Sequence, residues 1–218
     1  MNVGILQVMN HVKVQKRQTR STLRQRQAQA TASMIVAAAK ALFLEQGYTG
    51  TTIEAIAKHA DVAVSTVYAI FGSKRGILRA IRTTWHEGSH IQDVTYGKPG
   101  KATPEERLEQ LAQATRQQWE TGSEVVAIYN GAAAADSEAA AELSQALEGR
   151  RKGMENFALS LEPYLRPGVD TARAAAILEA LCLAEVFNAL VRHSGWSTEA
   201  YEAWLLQILK RELLKEQE

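Results

Sequence analysis

Residues 42–78 read LFLEQGYTGTTIEAIAKHADVAVSTVYAIFGSKRGIL, and their punctuation decides the fold. Leu42 and Phe43 close an apolar stripe that begins at Ile35, Val36 and Ala39, at the spacing of one helix face. That stripe predicts a first helix from about Arg24 to Gln46, stopped by Gly47. Thr51 and Glu54 have the spacing of a capping box. They predict a second helix from Thr52 to about His59, with Ile53, Ile56, Ala57 and Ala60 buried. Beyond Asp61-Val62 a third short helix runs from about Val64 to Phe71. Gly72 ends it, and Ser73 caps a fourth that continues to about Glu87. A short helix, a tight turn and a second short helix are the proportions of a helix-turn-helix.

On a helical wheel of the third helix, Val67, Ile70 and Phe71 point toward a small core. Ser65 and Ala69 point away, flanked by Thr66 and Tyr68. This outer face has neither acids nor bulky aliphatics, as entry into a phosphate-lined major groove requires. It also offers no Arg, Lys, Asn or Gln to base edges. Readout must then rest on hydroxyls and on apolar contact with thymine methyls.

At these residues the chain resembles the TetR family of bacterial repressors. Leu42-Phe43, Gly47-Tyr48, Thr51-Thr52, Ile56-Ala57, Ala60, Val62, Val67-Tyr68, Phe71, Ser73-Lys74 and Leu78 all fit that family's pattern. The resemblance covers about residues 30–80; the remainder is similar to the family only in being all-helical and of suitable length. It implies a DNA contact set of Thr51, Thr52, Ala63, Val64, Ser65, Thr66, Tyr68, Ala69 and Lys74. Thr51 and Thr52 would set the second helix's N-terminus on a phosphate. Val64, Ser65, Thr66 and Ala69 would face bases, and Tyr68 and Lys74 would hold the DNA backbone. Three positions depart from the pattern: Asp61 replaces the turn glycine, Ala63 the capping serine, and Ile70 the histidine before Phe71. The third helix is therefore expected to lack a side-chain cap, a loss of ~1 kcal/mol unless Asp61 substitutes.

Charge separates the two halves. Residues 1–85 hold 12 Lys/Arg against 3 Asp/Glu, whereas residues 86–218 hold 13 against 21. A basic front and an acidic back point to one half meeting a polyanion. Lys13, Lys16, Arg17, Arg20, Arg24 and Arg26 precede the first helix without an intervening acid. They form either a flexible basic arm along the DNA (Arg20, Arg24 and Arg26 being the candidate contacts) or a solvated leader.

The rest of the chain shows helical spacing throughout and no strand alternation. The turn-rich stretch Thr95–Lys101 precedes Thr103-Pro104-Glu105-Glu106, which carries three helix-start signals together. Helices are expected from there to about Thr121, then at about Ser123–Ala134, Ser137–Leu165, Thr171–His193 and Thr198–Glu216. The reading is an all-α, nine-helix, two-domain chain. It comprises a basic arm (1–25), a helix-turn-helix domain (26–85) and a helical effector-binding and dimerisation domain (86–218). The family resemblance implies a homodimer on a palindromic operator, released by a small molecule. The last two amphipathic helices suit a bundle with a partner subunit. Trp119, Tyr129, Phe157, Cys182 and Phe187 are candidates to line the effector pocket, with Asn130, Glu179 and Asn188 beside them. Sparse charge on those faces favours an apolar or aromatic effector. The helix Lys74–Glu87 would couple pocket to reading head.

Other functions find less support. His86-Glu87-Gly88-Ser89-His90 matches H-E-x-x-H, which on one helical face could bind zinc with Glu87 as base. Gly88 and the nearby helix end oppose that reading, and no enzyme activity, cofactor or metal is expected. A nonspecific architectural DNA binder is the remaining alternative. The single Cys182 excludes an internal disulfide and suits a reducing cytoplasm. No apolar run reaches the ~20 residues of a membrane span, and the N-terminus lacks signal-peptide order.

Overall fold

The computed structural model describes residues 3–97 and 100–215; of residues 3–23 and Ser89 it describes the backbone only. The described residues form ten α-helices and no sheet. In chain order they are α1 (Val3–Gly50), α2 (Ile53–His59), α3 (Val64–Phe71), α4 (Lys74–Ser89), α5 (Ile91–Tyr96), α6 (Pro104–Ala135), α7 (Ser137–Ser160), α8 (Thr171–Leu181), α9 (Ala184–Phe187) and α10 (Thr198–Leu213). A 3₁₀ turn (Glu162–Tyr164) follows α7, and a π-helical turn (Asn188–His193) follows α9. No single described helix is long and apolar enough to cross a membrane.

The expected caps are largely present. Gly47 leaves helical geometry at φ 77°. Ser73 Oγ accepts from the Gly76 amide at 3.1 Å, and Thr103 and Glu106 close a reciprocal capping box at the start of α6. Asp136 caps α7 by accepting from the amides of Glu138 and Ala139.

Besides α1, which begins at Val3 rather than near Arg24 and so makes the expected flexible arm helical from there on, four elements differ from expectation, each for an identifiable reason. First, α6 runs unbroken through Gly122, the expected separator. A Cβ there would lie 2.4 Å from the Trp85 indole nitrogen, so this glycine marks a close approach of α4 to α6. Second, the expected helix Thr171–His193 turns a corner at Cys182-Leu183, where Leu183 is extended. The carbonyl that Cys182 frees there accepts from both Trp119 Nε1 (3.0 Å) and Arg150 (2.9 Å). Third, α7 ends at Ser160 rather than continuing to Leu165. Pro163 has no N–H to continue it. Fourth, α5 fills part of the stretch expected to be irregular, behind a left-handed His90.

Two apolar clusters organise the packing. One gathers α6, α7, α8, α9 and α10 around Leu108, Leu111, Phe157, Leu178, Phe187, Tyr201 and Leu205. The other is the core of the N-terminal head: Ile35, Ala39, Phe43, Ile56, Val67, Ile77 and Leu78. This second cluster also includes Val125, Ile128, Tyr129 and Ala132 of α6, and Ala139 of α7. Ion pairs line the same seam: Lys40–Glu124 at 2.6 Å, Arg79–Glu142 at 2.8 Å, and Arg75–Glu138. The head is thus packed onto α6 along a continuous apolar contact.

Candidate DNA interface and effector cavity

Helices α2 and α3 meet through a turn in which Asp61 adopts φ 53°. Asp is among the few non-glycine residues that tolerate the left-handed region, so it can take the glycine's place. Ala63 is the N-cap of α3 and makes no side-chain cap bond, as the alanine predicts; Asp61 does not substitute. Only Val67 on α3 is fully buried. Ile70, expected to face inward, is 39% exposed, and Phe71 is half-buried. The outer surface of α3 therefore comprises Ser65, Tyr68 (49% exposed), Ala69 and Ile70, with Val64 and Thr66 half-buried at its edges. Ala63 is exposed at its N-terminal end.

The two threonines before α2 divide their roles. Thr52 is exposed and is the true N-cap, accepting from the Ala55 amide at 3.1 Å. Thr51 is 1% exposed, and its hydroxyl lies 2.8 Å from Gly47 O and 3.1 Å from Leu42 O. The expected Thr51–Glu54 capping box is thus replaced by a Thr52 cap, and Thr51 closes the end of α1. Its side chain has no exposed oxygen to offer a phosphate.

Lys74 is similarly committed. Its ammonium donates to Tyr48 O at 2.7 Å and Thr51 O at 3.0 Å, and sits 4.3 Å from the Tyr48 ring centre. Desolvation lowers its pKa. The lysine expected to hold the DNA backbone instead fastens the α1–α2 corner to the start of α4. Gly76 allows that start to lie close: a Cβ there would be 1.9 Å from Phe71 O. Of the arm, Arg24 and Arg26 are exposed on α1. The side chains of Lys13, Lys16, Arg17 and Arg20 lie outside the described residues.

Behind the head, α4, α6, α7 and the α8–α9 corner enclose a cavity of about 890 Å³. Its aromatic wall holds Trp85, His86, Trp119 and Tyr129, and Arg82 and Arg150 bring positive charge. The wall is fixed by hydrogen bonds. Trp85 Nε1 donates to Gln118 O at 2.8 Å, Trp119 Nε1 to Cys182 O, and Tyr129 OH to Leu78 O of α4 at 3.1 Å. Burial pushes Tyr129 up to about 12 and, with help from Arg82, lowers His86. Trp85 and Trp119 sit 5.5 Å apart, tilted at 42°.

Of the sequence candidates, Trp119, Tyr129 and Asn130 line this cavity. Phe157, Cys182 and Phe187 do not; they are fully buried in the C-terminal core. Phe157 lies beneath the Arg107 guanidinium at 4.5 Å, and Phe187 packs edge-on against Tyr201 at 5.0 Å. Burial pushes the Cys182 thiol up to about 11, so it is an inert apolar filler. Sequence reasoning missed Trp85, Arg82 and Arg150. Arg150 had a legible signal, because Glu148–Lys152 and Arg151–Glu155 pair at i,i+4 and Arg150 has no acid at either i±4 position. His86 and Glu87 lie in the last turn of α4, and His90 is a left-handed C-cap paired with Asp93 at 3.3 Å. The helix ends between the two histidines, so they do not share the face that H-E-x-x-H requires. No group of three or more potential metal ligands occurs among the described residues.

Residues 35–81 match the sequence profile of the bacterial regulatory proteins of the tetR family. Over this head the chain is similar to that family. No curated protein matches the chain. Solved structures match most of its length. SmeT in its triclosan complex is 22% identical, with a TM-score of 0.68, covering 86% of this chain and 93% of that one. NalD of Pseudomonas aeruginosa, the secondary repressor of the MexAB-OprM multidrug efflux pump, is 23% identical. Its TM-score is 0.64, covering 88% of this chain and 100% of NalD. FadR of Bacillus halodurans, a fatty acid degradation regulator, is 21% identical with a TM-score of 0.60, covering 82% and 93%. At these identities the likeness is one of fold. It extends beyond the matched head to the helices that line the cavity.

Proposed function

We propose that the chain is a homodimeric, sequence-specific transcriptional repressor that leaves its operator when a small molecule fills the α4–α6–α7 cavity. The observation that carries this reading is that α4 serves both sites. Its Ile77 and Leu78 belong to the core of the reading head, while its Arg82, Trp85 and His86 wall the cavity. A ligand that moves α4 would change the separation of two α3 helices across a dimer. DNA and ligand affinities are then reciprocally coupled. That NalD is named as a repressor and SmeT is held with triclosan supports the same assignment.

Residues 26–85, with the arm before them, then carry the DNA contacts, and residues 86–218, joined by Arg82 and Trp85, hold effector and partner. On α3, Ser65, Thr66 and Ala69 read bases, Ala63 and Val64 approach the groove edge, and Tyr68 reaches the backbone. Thr52 and the α2 N-terminus meet a phosphate, and Arg20, Arg24 and Arg26 extend the basic track. The dimer would form on α8 and α10. These helices expose Ala172, Ala176 and Ala180 on one and Ala203 and Gln207 on the other, and the alanines permit close helix contact. A reading head on each subunit suits half-sites one helical turn apart, ~34 Å.

Selection of bound duplexes from a random pool tests this reading directly. The expected product is an inverted repeat with half-sites about 10 base pairs apart. A pool enriched in no sequence would replace the repressor with the architectural alternative.

A further inference from the structure

The charges in the cavity define the ligand more closely. Arg150 projects from α7 into the cavity wall, and its terminal nitrogen donates to Cys182 O at 2.9 Å and Glu179 O at 3.2 Å. Its guanidinium lies 5.9 Å from the Trp119 ring centre. Two carbonyls at the C-terminal end of α8 and one indole thus hold the group in place. Neutral acceptors fix a cation without cancelling its charge, and a guanidinium has five N–H donors. Its flanking cations are neutralised elsewhere: Arg151 pairs with Glu155 at 2.6 Å and Lys152 with Glu148 at 2.8 Å. Arg82, the second cation of the lining, donates to the Glu142 backbone carbonyl at 3.4 Å and lies 5.7 Å from the Tyr129 ring centre. The Glu142 carboxylate is held by Arg79. Among the described residues neither Arg82 nor Arg150 has a carboxylate ion-pair partner. The lining acids Glu87, Asp93 and Glu185 are exposed to solvent, where their fields are screened. Asp93 also pairs with His90. The two arginines are half-buried, and their charge is felt more strongly inside.

Resting on the reading of this cavity as the effector site, we infer that its ligand is an amphipathic organic monoanion. A flat aromatic or apolar body packs against the wall formed by Trp85, Trp119 and Tyr129, and a single oxyanion head, carboxylate or sulfonate, is held by Arg150. This adds a charged head to the apolar or aromatic effector expected from the helix faces alone. The remaining N–H donors of Arg150, on Nε and the other terminal nitrogen, can meet an oxyanion, and Arg82 adds longer-range attraction.

The test uses two fluorescent probes with the same aromatic body, anilinonaphthalene sulfonate and the neutral phenylnaphthylamine, titrated into the full-length protein. The sulfonate is expected to bind at least tenfold more tightly. Arg150→Met should abolish that preference while leaving phenylnaphthylamine affinity unchanged. Arg151→Met, which removes the same charge from the outer surface, should leave both affinities unchanged. Arg150→Lys keeps the charge without the guanidinium's several donors and should retain part of the preference. Equal binding of the two probes to the wild type overturns the anion inference, leaves the cavity reading in place, and needs no variant to fold. Equal loss of sulfonate binding in Arg150→Met and Arg151→Met also overturns it, because net charge then explains the preference. Failure of both probes to bind overturns the cavity reading itself.

Discussion

Replacing Gly122 with alanine tests the close packing of α4 on α6, because the local and tertiary effects have opposite signs. Within a helix, glycine is about 1 kcal/mol worse than alanine, so the substitution alone should stabilise. At position 122, however, the new methyl would lie 2.4–2.5 Å from three atoms of the Trp85 indole. Ordinary contact is roughly an ångström longer, so either the ring or the helix must move. Overpacking of this kind costs about 1–3 kcal/mol. A displaced ring also loses its 2.8 Å bond to Gln118 O, worth about 1 kcal/mol. The net expectation is destabilisation by about 1–3 kcal/mol, or several degrees in melting temperature for a chain of this size. Gly131 is the internal control, since it lies on the same helix with nothing within 4 Å of its would-be Cβ. Gly131→Ala should stabilise by up to ~1 kcal/mol. Urea unfolding of both variants beside the wild type measures the difference, and tryptophan emission reports displacement of Trp85. If Gly122→Ala stabilised the protein as Gly131→Ala does, the close approach of α4 to α6 would be wrong. The proposed path from cavity to reading head would lose its mechanical basis.

Other consequences can be checked separately. Lys74→Met should cost about 1.5–3 kcal/mol of stability, the range for hydrogen bonds to a charged group, and leave the salt slope of operator binding unchanged. A shallower slope would return Lys74 to the phosphates. Removing residues 1–20 should reduce that slope by about 0.9 for each phosphate the arm neutralises; an identical slope would dismiss the basic arm. His86 has its pKa lowered from 6.5 by burial and by Arg82, so the folded state binds fewer protons than the unfolded state near and below pH 6.5. Its contribution is present above that value and declines as the pH falls. Chemical denaturation at stepped pH should show His86→Gln less acid-sensitive than the wild type in this range. Ser65→Ala with Thr66→Ala should lower affinity for the selected operator by at least tenfold, at about 1 kcal/mol per hydroxyl removed, and spare affinity for random DNA. A parallel drop on both duplexes would mean that α3 holds the backbone and reads nothing.

The sequence by itself determined the parts whose causes are local. Gly47, Ser73, Thr103 with Glu106, and Asp136 place helix ends because each acts on backbone groups within four residues of itself. Three-and-four spacing identified the buried faces of α1 and α2, and the acid-free outer face of α3 was visible from its composition. Tertiary structure decided whatever depends on a partner distant in the chain. Thr51 and Thr52 are identical residues, yet one closes the end of α1 and the other caps α2, because only one lies beneath the α1–α2 corner. Lys74 has the character of a phosphate ligand, but the carbonyls of Tyr48 and Thr51, more than twenty residues away, occupy it. Phe157, Cys182 and Phe187 have the apolar character of a pocket and are core. Gly122, which resembles a helix stop, instead makes room for Trp85. A cavity is bounded by whatever several helices fail to fill between them, and no window along one helix contains that information. Arg150 is the intermediate case: the missing acid at i±4 is readable in the chain, but only the fold shows that its unpaired charge faces a cavity.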